Sequence, residues 1–355
     1  MKIDELFNKD PYSLDFKEKE IVFENLVKDL FIFHYNNNTL YKNIIDSFGL
    51  DISYNVSYID LPFLPVRIFK YLDLFSVSKD LIIKTMFSSG TTGQLVSKIY
   101  LDRETSFKQT KTLSRIVSSF LGNQRLPMLV IDCESTIKNR LNFSARTAGV
   151  LGFSMFGKNI CFALDEDLSV NISKISDFLE KHKKETIFLF GFTSIIWQHF
   201  IQNLDLNKVN LDFSNSILIH GGGWKKLSNA GISNSFFKKK LFEMFKINKV
   251  VDYYGMVEQS GSIFMECEFG FLHASNFSNI FIRDSENFAI LSEGIVGLIH
   301  VISVLPNSYP GHSLLTEDEG ILCGIDNCSC GRKGKYFKVI GRIQKAEIRG
   351  CSDAN

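Results

Sequence analysis

The residues best suited to chemistry fall in a few short stretches. Phe87-Ser88-Ser89-Gly90-Thr91-Thr92-Gly93 packs four hydroxyls and two glycines into seven positions. Small residues let backbone N–H groups turn inward and the hydroxyls add donors, which makes a nest for phosphate oxygens. The Walker A order is absent, and composition alone fits a Ser/Thr/Gly surface loop equally well. Two further stretches carry soft metal donors: Cys267 and His273 at a spacing of six, and Cys328-Ser329-Cys330. Together they supply a Cys₃His set for a closed, structural zinc site. The C-x-C gap is tighter than usual, Cys323 competes as a ligand, and two unrelated turns with reduced thiols fit the same spacing. Cys351, between Gly350 and Ser352, is a thiol among small residues.

These groups need elements to hold them. Phe23, Leu26, Val27, Leu30 and Phe31 recur at spacings of three and four, which predicts helix through the first 45 residues. From about residue 80, apolar runs alternate with amphipathic stretches. Met128 to Ile131, Thr186 to Phe192, Ser216 to His220 and Lys249 to Tyr254 read as buried strands. Asp102 reads as the N-cap of a helix with Phe107, Leu113, Ile116, Val117 and Phe120 inward. A second helix follows Thr193 (Ile195, Ile196, His199, Phe200), and a third runs through Phe236, Phe237, Leu241, Phe242 and Phe245. Such alternation implies a parallel or mixed sheet with covering helices. After residue 285 hairpins are expected: Phe288 to Leu291, a turn at Ser292 to Gly294, then Gly297 to Leu305. Further turns are expected near Glu319-Gly320 and at Gly331 to Gly334. His220 and His199 read as structural histidines. Phe190, Phe192 and Trp197 either line an acyl pocket or fill the core.

Composition sets the limits. The 355 residues are 45% hydrophobic with 33 Phe, enough for a sizeable core and incompatible with a mainly disordered chain. Forty Lys+Arg against 39 Asp+Glu leave a net charge of +1, so no global field draws nucleic acid or an anionic membrane. No apolar run reaches the ~20 residues that cross a bilayer. Met1-Lys2-Ile3-Asp4-Glu5 puts acids where a signal peptide would be basic and then apolar. Seven cysteines, an odd and irregular set, argue against a disulfide framework. The expectation is a cytoplasmic protein with no membrane insertion.

The string Ser88 to Gly93 resembles the phosphate loop of the adenylate-forming superfamily, and four companions follow in the superfamily's order. They are Gly221-Gly222-Gly223, Tyr254-Gly255-Met256-Val257-Glu258, Thr316-Glu317-Asp318 and Gly341-Arg342. The resemblance implies that Ser88, Ser89, Gly90, Thr91, Thr92 and Gly93 hold the ATP phosphates. Tyr254 would stack on adenine beside Gly222, Gly223 and Gly255. Glu258 would bind magnesium, Asp318 would accept from the ribose hydroxyls, and Arg342 would lie close to the ribose. Singly, each residue reads as well as core, exposed acid or turn; the ordered set carries the resemblance. It implies an α/β fold like the superfamily's large N-terminal domain, with mixed sheets, covering helices and a β-rich C-terminal part.

Two departures shape the functional expectation. The loop continues Gln94-Leu95-Val96-Ser97-Lys98 where a basic residue is usual, leaving Lys98 as the cation that could reach back. Only thirteen residues follow Arg342, so the usual mobile C-terminal domain and its lysine are expected to be missing. The expected layout is a helical N-terminal region over 1–80, an adenylate-forming core over 81–342 and a tail over 343–355. As a whole the chain resembles the acyl-protein synthetase family of the bacterial bioluminescence fatty-acid reductase complex, most strongly at Ser88 to Gly93, Tyr254 to Ser260 and Cys328 to Asp353. That family activates a long-chain fatty acid with ATP and carries it as a thioester on a cysteine near the C-terminus. The matching residue is Cys351, with Lys345 and Arg349 near in sequence to favour its thiolate. Implied partners are an acyl reductase subunit and, as a further candidate, an acyl transferase; no nucleic acid is implied. Two alternatives stay open: a ligase whose acceptor is CoA, a carrier protein or an amine, and a non-catalytic nucleotide-binding scaffold. A comparable Cys/His set in some phenylacetate-CoA-ligase-like relatives supports the zinc site.

Overall fold

The computed structural model describes residues 2–49, 56–88, 95–138, 145–207, 211–223, 227 and 231–343. Along the chain its principal elements are helices α1 (Phe16–Asn37) and α2 (Thr39–Ser47) and strands β1 (Leu64–Pro65), β2 (Ile82–Phe87) and β3 (Lys98–Asp102). Then come α3 (Arg103–Leu121), β4 (Leu126–Cys133), α4 (Ala145–Ser154), β5 (Gly157–Leu164), α5 (Ile172–Lys181), β6 (Ile187–Phe192) and β7 (Ser216–Gly221). Helix α6 (Asn234–Phe245) and strands β8 (Lys249–Tyr254), β9 (Phe264–Glu266), β10 (Leu272–His273), β11 (Ser278–Arg283), β12 (Val296–Ser303), β13 (Ser313–Ile325) and β14 (Lys335–Arg342) complete it. None of the described helices is long and apolar enough to cross a membrane.

The chain divides into two compact units. Among the described residues the first takes in those up to Ser88, Leu95–Ser119 and Gly255 to Ile343; the second takes in Phe120–Tyr254. In the second unit five parallel strands lie in the order β5-β4-β6-β7-β8. Strands β6 and β7 are buried at every position, as continuous apolar runs require when both faces are covered. On one side Ile175 and Phe178 of α5, Phe200, and Phe237, Leu241 and Phe245 of α6 pack with Leu189 and Leu218 of the sheet. Helix α4 carries Phe153, whose ring stacks on Phe190 with centroids 4.4 Å apart. Gly149 lets this helix approach closely, since a Cβ there would lie 2.7 Å from the Phe192 ring.

The first unit is antiparallel in the order β11-β12-β13-β14-β10-β9, with β1 added parallel to β13. Helix α1 starts at a capping box, Asp15 accepting from Glu18 N–H while Glu18 accepts from Asp15 N–H; this satisfies two donors that a helix start leaves unpaired. Its buried face is Lys19, Val22, Phe23, Val27, Phe31 and His34, rotated from the expected stripe so that Leu26 and Leu30 are only half-buried. Asp102 caps α3 as expected, accepting from Thr105 N–H at 2.8 Å, and Ile116 and Val117 are fully buried.

Several expectations are corrected. Phe107 lies on the solvent face of α3, 62% exposed, with Lys111 over its ring. Phe236 and Phe242 of α6 are likewise exposed, because three of five aromatic or leucine positions already fill the inward stripe. The stretch after Thr193 is helical but widens into a π-helix over Ile196–Ile201. Phe288 to Leu291 makes only an isolated bridge, Arg283 to Ile290, and Glu319-Gly320 is no turn: it is a register shift inside the 13-residue strand β13.

Candidate active site and metal cluster

Within the first unit, β2 and β3 form a two-stranded ribbon whose open end carries the expected phosphate loop. Ser88 closes its root: Ser88 N–H donates to Ser97 O at 3.1 Å, and Ser97 N–H donates to Ser88 Oγ at 2.8 Å. Ser89, Gly90, Thr91, Thr92 and Gly93 lie outside the described residues. Lys98 pairs with the exposed Asp73 at 3.4 Å.

Beside this root sits Glu258, in a short 3₁₀ turn over Val257–Gln259 and only 3% exposed. The turn is fixed by its neighbours, since Gln259 Nε2 donates to Gly311 O at 2.8 Å and Tyr309 OH donates to Glu258 O at 2.8 Å. Burial pushes the Glu258 carboxyl above its ordinary value, while the Ser97 side chain and the Arg342 charge pull it back. Among the described residues no hydrogen bond reaches Oε1. A buried carboxylate oxygen in that state fits a cation ligand.

Asp318 and Arg342 are directly opposite each other where β13 meets the end of β14, with Arg342 Nε 3.5 Å from Asp318 Oδ1. Residues missed from sequence adjoin them. Arg67 Nε donates to Glu317 Oε1 at 2.7 Å, and Glu317 Oε2 lies 3.9 Å from Arg342 Nη2. Nothing in the local sequence marks Arg67; Glu317 was visible only as the middle residue of Thr316-Glu317-Asp318. The first unit therefore gathers Ser88, Glu258, Asp318 and Arg342, the acids and the cation all partly or fully withdrawn from water.

The second unit holds the other candidates at the C-terminal ends of β7 and β8, where open parallel sheets bind ligands. Gly221 pairs with Tyr253, so the next residues are Gly222, just past the end of β7, and Tyr254, the last residue of β8. A Cβ on Gly221 would lie 2.4 Å from the Tyr253 ring, and Gly222 has φ of +109°, which favours glycine. Gly223 is exposed, and Tyr254 is half-buried. His220 is fully buried, its Nδ1 2.9 Å from Thr193 Oγ1. Burial holds its pKa down to about 3, so it is a neutral structural residue. Phe190 and Phe192 are core residues, and Trp197 packs on Phe236 and Phe237.

The Cys/His cluster that could hold a metal lies in the first unit. Cys267 and His273 flank the β9–β10 turn, and Cys328 and Cys330 occupy the connection from β13 to β14. One donor atom from each of the four lies within 4.8 Å of all the others, with Cys267 Sγ to Cys328 Sγ 3.9 Å and Cys330 Sγ to His273 Nε2 3.3 Å. A tetrahedron with Zn–S of about 2.3 Å has edges of about 3.8 Å, so the thiols stand where zinc ligands would. Cys267, His273 and Cys328 are buried and Cys330 partly so, and His273 Nδ1 is buried with no hydrogen-bond partner among the described residues. Cys323 packs against this cluster but is not one of the four. All six described cysteines are free. Cys351, with Lys345 and Arg349, lies outside the described residues.

Comparison with known proteins decides the family. The model described as acyl-protein synthetase, LuxE, matches residues 1–355. The chain belongs to the LuxE acyl-protein synthetase family. It is 26% identical over 367 residues to the long-chain-fatty-acid–luciferin-component ligase of Aliivibrio fischeri, spanning 99% of this chain and 92% of that one. Against the ligase of the same name from Vibrio harveyi it is 23% identical over 362 residues, with the same coverage. A crystal structure of an open conformation of 2-hydroxyisobutyryl-CoA ligase with 2-HIB-AMP and CoA shares the fold. Its TM-score is 0.70 at 15% identity, over 95% of this chain and 78% of that one. Family and fold together make this LuxE-family chain a ligase with the α/β architecture of adenylate-forming enzymes.

Proposed function

We propose that this protein activates a long-chain fatty acid with ATP and then carries the acyl group as a thioester on Cys351, for delivery to an acyl reductase partner. The whole-chain family match carries the proposal, and the names of the two curated relatives support the substrate class. In the first step a carboxylate oxygen attacks the α-phosphorus of ATP, the bond to the β-phosphate breaks, and pyrophosphate leaves. In the second the Cys351 thiolate attacks the acyl carbonyl carbon, the carbonyl–phosphate oxygen bond breaks, and AMP leaves. No general base is needed in the first step, because the acid already ionises near neutral pH.

In this reading Ser88 to Gly93 hold the phosphates and Tyr254, Gly255, Gly222 and Gly223 receive the adenine. Asp318 accepts from the ribose and Arg342 lies beside it. Glu258 holds magnesium, whose charge offsets that gathering on pyrophosphate. Carrying the acceptor thiol on the same chain makes the second step intramolecular and raises its effective concentration. The four-donor cluster of Cys267, His273, Cys328 and Cys330 holds a closed structural zinc ion apart from this chemistry. Acid-dependent exchange of labelled pyrophosphate into ATP tests the first step. Exchange with long-chain acids that falls ~10²-fold in Glu258→Gln is expected; no exchange with any acid, while Mg-ATP still binds, would contradict it.

A further inference from the structure

Consecutive residues on a strand point to opposite faces, yet Glu317 and Asp318 both reach one guanidinium. Arg342 lies 3.5 Å from Asp318 Oδ1 through Nε and 3.9 Å from Glu317 Oε2 through Nη2. Against β12, Leu298 pairs with Glu319 and His300 with Leu315, so Thr316, Glu317 and Asp318 face a single residue, and against β14 a further shift falls between Glu319 and Gly320; such a bulge twists the strand and re-aims the side chains in it. Glycine is required there: a Cβ on Gly320 would lie 2.7 Å from the Ile299 side chain and 2.8 Å from Lys338 O.

Glu317 is itself held from two sides. Arg67 donates to Oε1 through Nε at 2.7 Å and approaches it through Nη2 at 2.5 Å. The backbone carbonyl of Glu317 accepts from Ile343 N–H at 3.1 Å, which ties down the residue just after Arg342. The Glu317 side chain is 9% exposed, and no hydrogen bond among the described residues reaches Oε2. A carboxylate buried next to Asp318, and close enough for its charge to be felt at Glu258, is costly unless cations compensate it. Here one cation, Arg67, fixes one oxygen and leaves the other aimed at Arg342.

We propose that Glu317, anchored by Arg67, is a positioning residue that holds the Arg342 guanidinium against Asp318, so that the pair meets the ribose of ATP already placed. This role rests on the ligase reading above. It predicts that Glu317 acts only through Arg342, which a double-mutant cycle reads directly.

The experiment measures Mg-ATP affinity by calorimetry, and KM and kcat in pyrophosphate exchange, for wild type, Glu317→Gln, Arg342→Ala and the double variant. Glu317→Gln is expected to weaken Mg-ATP by about 5- to 20-fold with kcat within about twofold. The double variant should be no weaker than Arg342→Ala within about twofold. Arg67→Ala, at a half-exposed guanidinium, should show a smaller loss of the same kind and guards against a Glu317 variant that fails to fold. Unchanged affinity in Glu317→Gln and Arg67→Ala, or losses that add fully with Arg342→Ala, would overturn the role while leaving the ligase reading in place. Wild-type protein that binds no Mg-ATP would overturn both.

Discussion

Glu258 faces opposing demands: a cation ligand must be ionised, and burial disfavours the ionised form. Its carboxyl is held above the ordinary carboxylate value chiefly by burial. An acid whose folded pKa is raised binds protons more readily in the folded state, so stability is lost as pH rises from its unfolded value through its folded one. Above that window the wild type carries the full cost. Glu258→Gln removes the charge and keeps the shape, so its unfolding midpoint at pH 7 should match or exceed that of wild type even as exchange activity falls. A midpoint lowered by several degrees would show that the carboxylate stabilises the fold. Cys351 stands at the other extreme: its proposed role comes from family resemblance alone, and it lies outside the described residues. Arg67 was illegible for the converse reason, since a guanidinium that acts across 250 residues of chain leaves no local pattern.

Among elements, legibility follows burial. Strands β6 and β7 stand out as apolar runs because both sheet faces are covered; β8 has the expected bounds but not the expected burial, since only Val251 is buried and Lys249 is exposed. The Asp102 cap was legible because capping is local. The inward face of α3 was only partly so: Phe107 satisfies the 3.6-residue period, but period cannot tell a core position from one where a lysine covers the ring. The β13 bulge resembles a turn in sequence because Glu-Gly signals both, and only pairing across strands separates them. The Cys/His cluster lies between these cases. Spacing proposed four donors, and the adjacency of the β9–β10 and β13–β14 connections brings them together. Zinc there would tie two hairpins across one sheet. Elemental analysis should find one equivalent of zinc per chain, and Cys328→Ser should lose it and lower the unfolding midpoint by on the order of 5 °C or more. A fully folded, metal-free protein of unchanged midpoint would contradict the site.

At the scale of the molecule, five buried histidines, His34, His220, His273, His300 and His312, are held below the ordinary value by burial, His273 to about 4. Burial holds His34 and His220 down to about 3 and keeps His300 and His312 well below the ordinary value. Their contacts require neutral rings: His300 Nδ1 accepts from Arg283 Nε at 2.9 Å, and His34 stacks on His312 with centroids 5.1 Å apart. Histidines depressed in the fold bind protons first when unfolded, so their stability contribution is complete above ~6.5 and is lost as pH falls towards their folded values. Stability is therefore expected to fall steadily as pH drops from 7 to 5. Denaturant unfolding at pH 7, 6 and 5 checks this, and flat stability over that range would contradict it.

The central claim joins this scaffold to acyl transfer on its own chain, and intact-mass spectrometry addresses it most directly. The protein would be incubated with Mg-ATP and a long-chain fatty acid, as wild type and as Cys351→Ser. The account predicts one acyl adduct on wild type that requires ATP, is released by hydroxylamine and is absent from the variant. ATP turnover with no adduct on wild type, or an adduct that persists in Cys351→Ser, would contradict it.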